Sequence, residues 1–89
     1  MPGQPQLREA AWLYAPDDPW LPLALVRLFE HRDGSGRWEV RLNSPASDPT
    51  QVAVFDGDEA EKRARAELAR IYADGEQDGR WRIRQPDAY

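Results

Sequence analysis

The sequence predicts an α+β domain. An antiparallel sheet of three to five strands, in the order (β)-β-β-β-α-β, carries one amphipathic helix (about residues 57–74) on one face. Three observations lead there. Residues 55–75 hold the one strong helical period of the chain. The stretches before and after it show strand patterning instead. The strands that precede the helix are joined by short, turn-rich connections of the hairpin kind, which favour antiparallel pairing.

Taken in order, residues 1–6, with two prolines and a glycine, read as a frayed tail ahead of a single domain spanning 7–85. Ala10–Tyr14 reads as a short strand or as an extended segment docked on the core. Pro16, Pro19 and Pro22 follow, with Asp17 and Asp18 between them. Proline lacks a backbone donor and holds φ fixed, so this stretch is expected to be a loop or an irregular edge, with Trp20 folded back onto the core. Leu23–His31 is apolar on both faces, as a central or doubly covered strand is. The N-terminal aromatic segment is the expected cover of its second face.

Asp33-Gly34-Ser35-Gly36 is a hairpin turn whose glycines supply positive φ. Arg37–Asn43 alternates, with Trp38, Val40 and Leu42 on one side and Arg37, Glu39 and Arg41 on the other. Ser44–Pro49 reads as a loop, and Gln51–Phe55 as a short strand leading into the helix. In the helix, Ala60, Ala64, Leu68, Ile71 and Tyr72 form one apolar stripe. Asp56 with Glu59, or Asp58 with Glu61, offers a capping box, Phe55 a staple onto Ala60, and Gly75 a left-handed stop. Glu59–Arg63 and Glu61–Arg65 are favourable i,i+4 pairs. Arg80–Arg84 alternates again around Trp81 and Ile83. Pro86 ends it, leaving 86–89 as a tail.

Composition bounds function by exclusion. A chain of 89 residues buries roughly 60–65% of its unfolded surface, enough for one thin core and a stability on the order of 5 kcal/mol. With no cysteine, thiolate metal sites, disulfides and cysteine catalysis are excluded, and a cytoplasmic setting is favoured. No run is long and apolar enough to span a bilayer, and the start lacks the basic and apolar regions of a signal peptide. The net charge of −4 disfavours a nucleic-acid binder. The acid is concentrated in residues 44–79, whereas 80–89 hold three basic groups and one acidic group.

No catalytic set, metal site or cofactor is implied. His31 is the only histidine and has no evident orienting partner. Asp56-Gly57-Asp58-Glu59 lacks the further ligands of a calcium loop and suits a helix start, where the macrodipole favours acid. Asp17-Asp18 reads as loop charge. Asp33–Gly36 is too short to cradle a phosphate, and the serines at 35, 44 and 47 lack a nucleophile-elbow context.

Two groups carry interaction chemistry. Arg37, Arg41, Arg80, Arg82 and Arg84 fall opposite the apolar parity of their strands, and Arg27 joins them if its strand shares that parity, so neighbouring strands would align them on one face for phosphates or other anions. The alternative is ordinary solvent-facing arginine paired across the sheet with Glu30 or Glu39. Trp38 and Trp81 alternate with core positions. Trp12 and Trp20 are candidate partner contacts. Over residues 23–73 the order of elements resembles the arm domains of phage-type integrases and the APETALA-type domains of plants. It is also similar to the sheet-plus-helix antitoxins of the HicB type. The likeness lies in element order alone and matches no family motif. A strand layer can enter a major groove. The leading expectation is a non-catalytic protein-interaction module, with self-pairing through a sheet edge as one form of it. The alternative is a nucleic-acid-binding module using the arginine face.

Overall fold

The computed structural model describes residues 5–44 and 47–84, with 47–49 and 84 as backbone. Six elements follow one another: β1 (Gln6–Ala15), β2 (Asp18–Glu30), β3 (Trp38–Ser44), β4 (Ser47–Phe55), α1 (Ala60–Gly75) and β5 (Arg80–Arg84). The strands form one antiparallel sheet in the order β4-β3-β2-β1-β5, and α1 packs on one of its faces. This is the expected α+β fold with all five strands present. The expected C-terminal tail and residues 1–4 of the N-terminal one lie outside the described residues.

β2 occupies the centre of the sheet, which accounts for its apolar residues on both faces. The β2–β3 turn has Gly34 at φ 86° and Gly36 at φ 72°, with the Asp33 carboxylate accepting the Ser35 N–H at 3.0 Å. Helix α1 begins near one edge strand and delivers the chain to the other, touching β2, β3, β4 and β5 on the way. Beneath it lie Ala11, Val26, Leu28, Trp38 and Val40, closed from above by Ala60, Ala64, Leu68 and Ile71. These are the alternate positions that a period of two predicts for the strands and a period of 3.6 for the helix. Small alanines on α1 bring the helix close to the strand layer. At its far end, Tyr72 donates its O–H to Glu9 at 2.5 Å, and Trp81 Nε1 donates to the Tyr72 carbonyl at 2.9 Å. Burial, and then the Glu9 carboxylate, push the Tyr72 phenol well above its usual pKa, so it remains a donor.

Several expectations are corrected. The proline-rich stretch is not a loop: β2 begins at Asp18 and β1 extends to Ala15, so the two make a long hairpin arm with Pro16 and Asp17 at its corner. Register shifts at Leu13/Tyr14 and Tyr14/Ala15 give this irregular ladder room for residues that lack an N–H. Trp20 does not fold back; it is 85% exposed on that arm. The N-terminal aromatic segment does not cover the sheet either, because β1 is itself a strand between β2 and β5. The strand expected at Gln51 starts at Ser47, leaving only 45–46, which lie outside the described residues, between β3 and β4.

At the helix, Glu59 stands at the N-cap without a side-chain cap bond, and Asp56 instead accepts from Arg37 Nε at 2.8 Å. Gly75 is not a left-handed stop. It is the last helical residue, and a Cβ there would come within 2.5 Å of the Trp81 ring, so close packing, not φ, requires glycine. Of the two expected ion pairs, Arg65–Glu61 closes at 2.8 Å, whereas the Arg63 guanidinium lies over the Phe55 ring.

Candidate functional site

The sheet face opposite α1 has no element of the described chain over it. Antiparallel register places its residues in three rows. The first runs Arg84, Ala10, Arg27, Arg41, Val52. The second runs Arg82, Trp12, Leu25, Asn43. The third runs Leu7, Phe29, Glu39, Val54. Arg80 continues the parity of Arg82, opposite Tyr14. Five of the six predicted arginine positions therefore share this face. Arg37 does not: it lies outside β3 and is held by Asp56 at the rim.

Arg27 and Arg41 stand directly opposite each other, an arrangement that repels unless it is relieved. Two devices relieve it. Both guanidinium groups lie over the Phe29 ring, at 5.7 and 4.7 Å from its centroid, so the ring's negative faces share the positive charge. Each head group also has a polar partner. Arg27 Nη2 donates to Asn43 Oδ1 at 3.0 Å, and Asn43 Nδ2 in turn donates to Thr50 Oγ1 at 2.7 Å. Arg41 Nε donates to Glu39.

Glu39 is the fixed charge of the site. It is 6% exposed, the one buried charged residue among those described, and bonds Arg41 through one oxygen and His31 Nε2 through the other at 3.0 Å. Burial raises its pKa, but the hydrogen bonds and positive charge of Arg41 and His31 outweigh this and leave it below the usual carboxylate range. A buried carboxylate needs such partners. His31 thus acquires a structural partner that sequence reasoning missed. Phe29–Glu39 pairing is a matter of register, and the only sequence signal was that Glu39 shares the parity of Arg41.

Around this polar centre the face is apolar and aromatic. Trp12 is 37% exposed, Val52 54% and Val54 47%, with Leu25, Phe29 and Tyr14 half-buried between them. The Arg82 guanidinium lies 4.7 Å from the Tyr14 ring centroid and is open to solvent. Charge is segregated across the sheet. Residues 56–79 hold eight carboxylates and four basic groups, a local balance equal to the whole chain's −4, whereas the three rows of the open face, among the described residues, contain one acid, Glu39. Trp20, the other aromatic candidate, is on the protruding arm, where its backbone N–H is held by Asp18 at 3.0 Å.

The remaining candidates converge on no reactive centre. Among the described residues, no three His, Asp or Glu side chains approach closely enough to hold a metal ion. The clefts on the helix face are shallow and lined chiefly by Leu13, Ala24, Leu42, Ile71 and Trp81, with Asp74 and Asp78 at the rim. No helix of the described residues is long and apolar enough to cross a membrane. No protein-family model, curated protein or solved structure matches this chain.

Proposed function

We propose that this protein is a non-catalytic interaction module, acting in the cytoplasm, whose contact surface for a protein partner is the sheet face opposite α1. The observation that carries this reading is the makeup of that uncovered face. It combines exposed Trp12, Val52 and Val54 with arginines whose charge is already shared with Phe29 and Glu39. Rigid aromatics beside partly desolvated arginine are the composition in which interface binding energy concentrates. A face built only to be wet would not place aliphatic side chains at alternate positions of an edge strand. The basic surplus of the face favours a partner segment presenting carboxylates next to apolar groups.

The test is recovery of partner by tagged full-length protein from its native cell extract, comparing wild type with Trp12→Ala and Arg82→Glu. Both variants are expected to keep the far-ultraviolet circular dichroism spectrum and lose the partner. Undiminished recovery by both overturns the reading.

One observation favours a second reading. The row Arg84–Ala10–Arg27–Arg41, with Arg82 beside it, is a basic line across an uncovered sheet, and aromatic sheets with arginine also stack unpaired bases. Titration with single- and double-stranded oligonucleotides at rising salt separates the two. Binding that falls steeply with salt in wild type, and with a smaller slope in Arg82→Glu, supports nucleic acid in place of protein.

A further inference from the structure

We infer that edge strand β4 is a self-pairing site, through which two copies of this chain join their sheets into one. This deepens the interaction-module reading by naming one partner, a second copy. It rests on a contrast between the two edges of the sheet. β5 is 5 residues long and carries arginine at alternate positions, the features that keep an exposed edge from pairing with another chain. β4 pairs on one side only, with β3, and of its 9 residues Asp48 and Pro49 near the start are of the protecting kind. From Thr50 to Phe55 it holds no charged residue and no proline. Its outward backbone donors and acceptors have no partner strand among the described residues, and Val52 and Val54 stand exposed beside them. The chain thus protects β5 along its length and β4 only near its start, leaving residues 50–55 ready to pair.

The sequence of β4 is also complementary to itself. Antiparallel pairing centred on Val52 sets Val52 against its own copy and Thr50 against Val54 on the open face. On the other face it sets Gln51 against Ala53. β-Branched pairs are favourable in sheets, and no like charges meet within this ladder. The operation is a two-fold axis perpendicular to the sheet, so the contact closes at two copies and does not propagate. Both α1 helices then lie on the same side, and the two open faces become one continuous surface with the valines at its middle. A ladder of about five residues a side lies at the small end of stable interfaces, so the association is a concentration-dependent equilibrium.

The experiment is sedimentation of the full chain from about 10 µM to about 500 µM, the range in which an interface this small associates. Wild type, Val52→Lys and Trp12→Ala are compared, each checked for fold by circular dichroism. Wild type is expected to shift from monomer to dimer. Val52→Lys is expected to weaken the dimer at least about tenfold by placing like charges on the axis. Trp12→Ala is expected to leave it unchanged. A second arm uses the lack of native cysteine: Val52→Cys is expected to oxidise to a disulfide-linked dimer, because residues on the axis come within disulfide reach, while Ala73→Cys on the exposed side of α1 is not. A monomer throughout the range overturns the inference, as does a dimer with equal affinity in Val52→Lys and no Val52→Cys cross-link. A dimer broken by Trp12→Ala alone overturns it too, while leaving the open face as the contact surface.

Discussion

The two faces of one sheet are built from the same strands and read differently. Under α1, alternate positions hold Ala11, Val26, Leu28 and Val40, all close to fully buried, with Glu9 at the far end of the face accepting from Tyr72. On the other face the intervening positions hold Trp12, Arg27, Phe29, Glu39 and Arg41, tied to one another by ring contacts, hydrogen bonds and an ion pair. The first face needs the helix to be stable. The second organises itself with no described element over it. The comparison separates residues that hold the fold from residues that present it.

That separation can be broken at several points. Leu28 lies fully buried in the central strand, so Leu28→Ala should cost about 2–5 kcal/mol of unfolding free energy, read by chemical denaturation. A cost under about 1 kcal/mol would show that the helix face is not the core. Gly75→Ala forces a methyl group against the Trp81 ring and should cost about 1–3 kcal/mol, with loss of the near-ultraviolet signal from Trp81 as β5 shifts. If φ at Gly75 mattered instead, a larger residue and alanine would behave alike. Glu39→Gln tests the self-organisation of the open face and should cost about 1–2 kcal/mol at neutral pH.

The pH dependence of Glu39 follows from its sign. Its folded pKa lies below the unfolded value, so its contribution is present above the ordinary Glu range, near 4.3, and is lost as pH falls through the lower folded value. Glu39→Gln should flatten the acid limb of stability in that window. An unchanged limb would mean that Arg41 and His31 contribute nothing through the carboxylate. Smallest of all, Arg82→Glu should change stability by no more than about 0.5 kcal/mol, because Arg82 is exposed and its guanidinium lies over the Tyr14 ring at the surface, and yet it should reduce partner binding.

Much of the helix face was legible from periodicity. The α1 stripe and the alternation of Trp38, Val40 and Leu42 are local patterns, and their burial follows from those periods. The double-faced apolar character of β2 correctly implied a central strand. What was not legible depends on register or on tertiary override. Pro19 and Pro22 signal a break locally, but pairing with β1 through an irregular ladder outweighs that signal. Asp56 has every feature of a cap, but Arg37 holds it instead. The open face could be listed as parities but not assembled. Trp12 meets Arg82 only because α1 carries β5 back beside β1, and Glu39 meets His31 only through the length of the β2–β3 turn.

Whether the open face, and not the helix face, meets the partner is read by placing a photo-crosslinking amino acid at position 12 or at position 73 of the full chain in its native cell. A discrete protein adduct is expected at position 12 that disappears when Arg82→Glu is added, and no such adduct at position 73. An adduct formed equally well from position 73, or one at position 12 that is indifferent to Arg82→Glu, would contradict the open-face reading.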